Sequence, residues 1–437
     1  MSKNLMGESL PDWGKQPEIH STSSFKFPVI EEFKLENGIP MTVIHDERQD
    51  AFRLDVVIGS GQVDQAKLLQ ASTTCRMLRE GTSHYSSNQI AEKLDYYGAW
   101  LETSTYFLYS RITLYSLTKY ADKTIPLVAE IIRNAVFPEH EFEIVNNSNK
   151  AYSQVIAAKS NVKAQRTLLT CLFGKQHICG RFATVDDYEQ LRVQDLHCFY
   201  KTFYSSSNCR LFFSGRLTDK LHQQITSAFG ADKWGNCDTL PVRKTQVKHT
   251  VSQKRVFTEC STACQSSVRL GCFLMPCTDK DFLLSNFFNT LLGGFFGSRL
   301  MTELREKRGF TYGISSTVSL YPFDTLLLIS SETSAEHIED LISGVYQQIE
   351  RLQQERVGEQ ELSLVRNYFI SDICRTYEEP FSVADYCINM KLFGLPYDTQ
   401  AKAVRLATDC SADDIREFAC KWLHPVDFRE SVSGKSV

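Results

Sequence analysis

Two copies of one short pattern constrain this chain more than any other feature. Leu172-Phe173-Gly174 precedes Asp195-Leu-His-Cys-Phe199, and Leu392-Phe393-Gly394 precedes Asp414-Ile-Arg-Glu-Phe418. The step from Phe173 to Asp195 is 22 positions, and that from Phe393 to Asp414 is 21. Each copy stands near the end of its half, after a long helical pattern: Glu139 to Lys159 in the first, Gln360 to Tyr377 in the second. Such a repeat implies two similar domains in tandem, which accounts for 437 residues better than three domains of about 150 would. The polar, aperiodic stretch from Trp234 to Arg255 is the natural junction. The expected organisation is a flexible segment 1–28, a first domain 29–230, a linker 231–254 and a second domain 255–430.

Local signals fill these domains with both strands and helices. Glu32 to Asp46 reads as two strands flanking Asn37-Gly38, a pair that supplies the positive φ angles of a tight hairpin turn. A third strand follows at Phe52 to Gly59, and Leu68 to Leu78 reads as a helix closed by Gly81. Helical patterns recur at Ser87 to Tyr97 and Ala121 to Asn134, with strand-like Leu108 to Leu117 between them and Arg210 to Ser214 near the end of the half. Strand signals resume at Val268 to Leu274. A helix at Phe282 to Leu292, a break at Gly293, Gly294 and Gly297, a helix to Arg308 and more strands through Ser331 follow. Antiparallel-type strands mixed with helices make the class α+β, each domain a mostly antiparallel sheet packed with helices.

Charge and composition exclude several functions. Lys plus Arg is 48 against 52 for Asp plus Glu, a formal charge of −4, so no long-range field recruits nucleic acid or an anionic membrane. No apolar run approaches the roughly eighteen residues of a membrane-spanning helix. The N-terminus is polar, broken by Pro11 and Pro17, and lacks the basic-then-apolar pattern of a secretory signal. Fourteen scattered cysteines read as free thiols in a reducing compartment, so the expected location is cytoplasmic. Cys260, Cys264, Cys272 and Cys277 have spacings that fit no compact zinc knuckle, and a strand pattern runs through them. Gly293-Gly294-Phe-Phe-Gly297 lacks the Gly-Lys-Ser/Thr ending of a phosphate loop and follows a helix, so it redirects the chain. Tyr106, Phe107 and Tyr109 belong to a core or line a chamber for extended peptides; the sequence leaves both open.

Read in order, several segments form a recognisable series. They are the hairpin LENGIPMTVIHD, the turn at Gly59-Ser60-Gly61, the Gly81-Thr82 that closes the next helix, and AEKLDYYGAWLETST (Ala91 to Thr105). VFPEHEFE (Val136 to Glu143) and the long LLGGFFGSRLMTELREKRGFTYGISS (Leu291 to Ser316) complete it. The series resembles the insulinase-like (pitrilysin) zinc metallopeptidase family, which includes mitochondrial processing peptidase, from about Phe33 to Leu423. The resemblance implies that the two domains form half of a clamshell. It also implies a His-x-x-Glu-His helix before Gly81, whose two histidines bind zinc while the glutamate activates water. Here those five positions are Ser72-Thr73-Thr74-Cys75-Arg76. Ser72 and Arg76 replace the histidines and Cys75 the glutamate. The family's distal glutamate ligand aligns with Ser153, whose neighbours Asn146, Tyr152 and Gln154 are not carboxylates either. A guanidinium does not deprotonate, so Arg76 would repel a divalent cation. No histidine lies within eight positions of Cys75 to make it a nucleophile, so it reads as a buried, inert thiol. The expectation is no metal and no catalytic residue in this chain alone.

The second domain keeps another element of the family. An arginine and a tyrosine seven residues apart, which there hold the substrate backbone near the scissile bond, match Arg305 and Tyr312. By composition alone Arg305 is a solvated helix residue on the last turn before Gly309. With the surrounding landmark it is a donor aimed at a carbonyl or its oxyanion, and Tyr312 is its companion. The resemblance therefore implies a non-catalytic subunit of a heterodimeric zinc endopeptidase, its homologous partner bearing the zinc and peptides being the substrate. The alternative is a catalytically dead scaffold or assembly protein of the same fold. An enzyme using different chemistry is the third reading, which requires chelator-resistant activity of the isolated chain.

Overall fold

The computed structural model describes residues 13–15, 28–236, 240–243, 248, 250–251, 253–322 and 324–435. The expected N-terminal segment 1–28 therefore lies almost wholly outside the described residues, as does part of the linker 231–254.

The strands are β1 (Ile30–Lys34), β2 (Pro40–His45), β3 (Ala51–Ile58), β4 (Trp100–Thr105), β5 (Ser110–Leu117), β6 (Cys209–Gly215), β7 (Arg255–Glu259), β8 (Ser266–Phe273), β9 (Thr311–Tyr321), β10 (Asp324–Thr333) and β11 (Arg429–Gly434). The helices of the first half are α1 (Gln70–Met77), α2 (Ser87–Tyr96), α3 (Ala121–Arg133), α4 (Glu139–Ala157), α5 (Ser160–Phe173), α6 (Val185–Gln190), α7 (Val193–Phe203) and α8 (Asp219–Ile225). Those of the second are α9 (Phe282–Asn289), α10 (Ile338–Gln354), α11 (Glu359–Thr376), α12 (Pro380–Leu392), α13 (Thr399–Asp409) and α14 (Ala412–Trp422).

Two sheets carry the repeat. The first has the order β1-β2-β6-β3-β5-β4 and the second β7-β11-β8-β10-β9. In each, the last strand lies between two earlier ones, parallel to one and antiparallel to the other: β6 between β2 and β3, β11 between β7 and β8. Removing β1 makes the two topologies identical. The short sequence pattern is explained at both sites. Asp195 and Asp414 accept from the backbone N–H of Arg192 (2.9 Å) and Ser411 (2.8 Å), closing the first turns of α7 and α14. Gly174 (φ +90°) and Gly394 (φ +69°) end α5 and α12 in a region that other residues avoid.

Those two helices are exchanged between the halves. Each sheet packs one face on its own helices, forming two large cores. The opposite face of the first sheet is covered by α12 of the second half, where Val383, Ala384, Cys387 and Ile388 meet Ile44, Val57 and Phe212. The opposite face of the second sheet is covered by α5 of the first half through Leu168, Leu169, Leu172 and Phe173. Gly271 on β8 makes room for this: a Cβ there would stand 3.2 Å from Leu168 Cδ2 and 2.9 Å from Leu328 Cδ2. Burial on both faces explains the run of β3, AFRLDVVI, in which every residue after Ala51 is buried. Burying Val383, Ile388 and Met390 contributes about 5–9 kcal/mol as an upper estimate, at about 1.5–3 kcal/mol per side chain.

An ion network, buried at Arg53 and Asp55 and half-exposed at Asp385, fastens the exchange. Arg53 on β3 donates to Asp55 (Nε to Oδ2 2.8 Å) and, through Nη2, to Asp385 of α12 (2.5 Å). Arg111 on β5 donates to the same Asp385 oxygen (2.7 Å). Burial raises the Asp385 carboxyl, but the hydrogen bonds and charges of Arg53 and Arg111 outweigh it and hold its pKa below the ordinary aspartate value.

Two local readings differ from the structure. Only Gly38 takes a positive φ in the β1–β2 turn, which spans the five residues between Lys34 and Pro40. Asn37 uses its side chain instead, donating to Phe229 O (2.7 Å) and Asp232 O (2.8 Å) and so tying the hairpin to the end of the first half. Strand β4 was absent from the local reading, because WLETST on an open edge lacks a clean apolar alternation.

Candidate functional site

Positions Ser72 to Arg76 lie on α1, which a 3-10 turn, Leu78–Glu80, follows. Ser72 Oγ donates to the Leu69 carbonyl (3.1 Å), satisfying itself within the helix. Cys75 is 1% exposed, its Sγ 3.6 Å from the Ser104 carbonyl on β4, and burial raises its thiol pKa. It is a packed thiol rather than an available nucleophile. Arg76 forms an ion pair with Glu80, one turn on, and Glu80 also accepts from Ser87 Oγ (2.7 Å). The arginine's charge is thus already neutralised locally, which weakens the repulsion argument. What this helix lacks is donors: none of Ser72, Cys75 and Arg76 is a histidine or a carboxylate. Ser153 is half-buried on α4, which packs beside α1. Among the described residues no three His, Cys, Asp or Glu side chains stand together as a metal site.

The second half presents a different arrangement. Arg305 sits in a wide helical turn, Met301–Lys307, which ends before Gly309 (φ +67°), and Tyr312 is the second residue of β9. The Arg305 Nε donates to the Tyr312 carbonyl at 2.8 Å. This bond joins the turn to the open edge of the second sheet. The guanidinium carbon stands 5.6 Å from the Tyr312 ring centre and 4.5 Å from that of Phe296. Two aromatic rings therefore hold the cation, an attraction of about 0.5–1 kcal/mol each at exposed sites. Tyr312 is 87% exposed and Phe296 61%. Among the described residues only Nε of Arg305 makes a hydrogen bond, and its Nη1 is 4.0 Å from Glu306 Oε1. The terminal nitrogens remain free to donate.

Structure thus brings Arg305 and Tyr312 into direct contact, and adds Phe296, which sequence reasoning read only as part of a glycine-rich break. The position of Phe296 in the same landmark segment was the available signal. Tyr106 stacks on Tyr109 at 4.4 Å and Phe107 meets Tyr321 at 5.7 Å, which puts the β4–β5 turn at the seam between the halves. On the same side of the order each sheet ends in an edge strand paired on one side only, β4 in the first and β9 in the second.

Comparison with known proteins bears on the family and the fold. Residues 41–177 match the family model "Insulinase (Peptidase family M16)" and residues 190–369 match "Peptidase M16 inactive domain". An uncharacterized zinc protease from Rickettsia felis is 22% identical over 419 residues, covering 89% of this chain and 93% of the relative. A Helicobacter pylori protein described as a non-peptidase homolog is 25% identical over 293 residues, 66% of this chain and 64% of its own. Among solved structures, the peptidase M16 inactive domain from Pseudomonas fluorescens superimposes with a TM-score of 0.81 at 19% identity, covering 93% of this chain and 98% of that one. A protease from Helicobacter pylori gives 0.84 at 16% identity, covering 94% and 100%.

Proposed function

The chain belongs to the insulinase-like peptidase family in a non-catalytic form, and from that premise we propose that it is the substrate-positioning subunit of a two-subunit zinc endopeptidase. A homologous partner carries the zinc and the water-activating glutamate, and the two subunits close like the halves of a clamshell around a peptide. This chain supplies Arg305 and Tyr312. One observation carries the reading: the zinc-motif positions have become a self-satisfied serine, a packed thiol and a neutralised arginine, while Arg305 remains held by Tyr312 and Phe296 with its terminal nitrogens free. The exposed Tyr312 and Phe296 leave that cation open to a bound peptide.

The chemistry follows from the donors. A peptide laid along an open strand edge is held by its backbone and is read loosely for sequence. At the scissile bond, charge develops on the carbonyl oxygen, where a preorganised guanidinium and phenol are worth most. Zinc in the partner would polarise the same carbonyl and deliver water.

The test is to purify the chain, measure its metal content and peptidase activity, and repeat with a His-x-x-Glu-His homologue encoded in the same genome. No zinc and no activity alone, with a stable complex and turnover on mixing, are the expected results. Inactivity with every such homologue, together with co-purification of an unrelated assembly, would move the function to the scaffold class.

A further inference from the structure

A cavity of about 530 Å³ lies at the seam between the halves, within the range of small-ligand pockets. The β4–β5 turn contributes Leu108 and Tyr109, β9 contributes Val318 and Leu320, and α12 and its C-cap contribute Met390 and Phe393. Polar groups are few: Thr105 at the end of β4, Gln62 and Asn389. Tyr109 is 5% exposed, yet no described residue hydrogen-bonds its hydroxyl. That hydroxyl is not among the buried polar atoms left without a partner, so it reaches solvent at the cavity and is a donor open to a ligand.

Its position is as informative as its lining. Tyr312, Val318 and Leu320 alternate along one face of β9, whose backbone edge is unpaired. The edge begins at the Arg305–Tyr312 contact and ends at the cavity. From Tyr312 to Leu320 is eight residues, about 26 Å of extended chain at about 3.3 Å per residue. The matching edge strand of the first sheet, β4, ends at Thr105 on the same cavity. A free apolar molecule would leave both backbone rows unused, whereas an extended peptide satisfies them and delivers a side chain.

We propose that the cavity between the β4–β5 turn, β9 and α12 is a side-chain pocket for an extended peptide paired to β9. It takes a bulky apolar or aromatic residue eight positions from the one held at Arg305 and Tyr312, and the Tyr109 hydroxyl donates to the peptide. The proposal rests on the peptide-binding reading above. It adds a substrate class: peptides with a large apolar residue at a fixed distance from the cleavage point.

Peptides of about a dozen residues, long enough to span that edge, are made with benzoylphenylalanine at each position in turn, irradiated with the full-length chain and mapped by mass spectrometry. The expected result is cross-linking to Met390 or Leu320 from one position, eight residues from the position that labels the Tyr312 region. Asn389→Trp, a change at an exposed helix position that fills the cavity, reduces the pocket cross-link at least tenfold and leaves the Tyr312 cross-link intact. Leu320→Trp fills it from the other side and gives the same result, with circular dichroism confirming that both variants fold. Cross-links at Tyr312 with none in the cavity would overturn the pocket and spare the peptide-binding reading. Equal labelling of the cavity from any position, or by free benzophenone, would make it a site for small apolar molecules and overturn the proposal. Absence of cross-links anywhere would sink both.

Discussion

Replacing Asp385 by asparagine removes the carboxylate through which the second half is fastened to the first sheet. Three hydrogen bonds depend on it: Arg53 Nη2 at 2.5 Å, Arg53 Nη1 at 3.3 Å and Arg111 Nη1 at 2.7 Å. Removing one partner of a fully buried ion pair costs about 3–5 kcal/mol. The Asp385 side chain is 48% exposed, however, and asparagine still accepts one bond, so solvent screening reduces the cost to about 2 kcal/mol. Asp55, completely buried and bonded to Arg53 and Thr113, should show the unscreened cost of about 3–5 kcal/mol when changed to asparagine. For the Asp385→Asn protein a 2 kcal/mol loss lowers Tm by about 4–8 °C, since each half is about 200 residues long. The loss must be local to α12: amide exchange there should accelerate about 30-fold, while α9 and α10 of the second core are unaffected. Differential scanning calorimetry and hydrogen exchange by mass spectrometry read both quantities. A fall in Tm with unchanged exchange in α12, or exchange accelerated equally everywhere, would refute the idea that this network fastens the exchanged helix.

Acid should loosen the same contact. The pKa of Asp385 is depressed, and so is that of Glu32, where hydrogen bonds from Lys391 and Tyr397 of the second half overcome the effect of burial. A depressed carboxylate stabilises fully above its unfolded value and is lost as pH falls through its folded value. Docking of α12 is therefore constant above about pH 4.5 and weakens below it, which limited proteolysis across a pH series would follow; loss of docking near neutrality would contradict the assignment. Alkylation at pH 8 should modify the exposed Cys198, Cys264 and Cys420 and spare Cys75, whose thiol is buried and whose pKa is raised; early labelling of Cys75 would show that α1 opens. Phe296→Ala should lower turnover of the two-subunit complex about twofold to fivefold, by removing about 0.5–1 kcal/mol of cation–π support from Arg305, with kcat affected more than KM; equal turnover would make Phe296 a bystander.

Much of this architecture was legible in the residues. The hairpin around Asn37, the buried strand after Ala51 and the helix ending at Gly81 announce themselves by local chemistry. The two short repeats are visible because each ends a helix at a glycine and caps another with an aspartate. Their meaning was not visible. An amphipathic helix such as α12 declares that it has an apolar face but not which sheet that face covers, so the exchange of α5 and α12 depends on contacts hundreds of residues apart. Arg53, inside the strand FRLDVVIG, meets Asp385 from 332 positions further along the chain, a pairing that no local pattern announces. The seam cavity was invisible for the same reason, since its walls come from three distant segments. At the degenerate site the sequence identified which donors were missing, but not that Glu80 neutralises Arg76.

The most direct test is turnover of a peptide by the mixture of this chain and a zinc-bearing homologue, compared between the native chain and Arg305→Ala. Losing a preorganised donor at a developing oxyanion costs about 10²–10³ in kcat. The expected result is a drop of that order with the complex still assembling at its native stoichiometry by analytical ultracentrifugation. Undiminished kcat in a fully assembled Arg305→Ala complex would contradict the account and leave this chain a structural partner only.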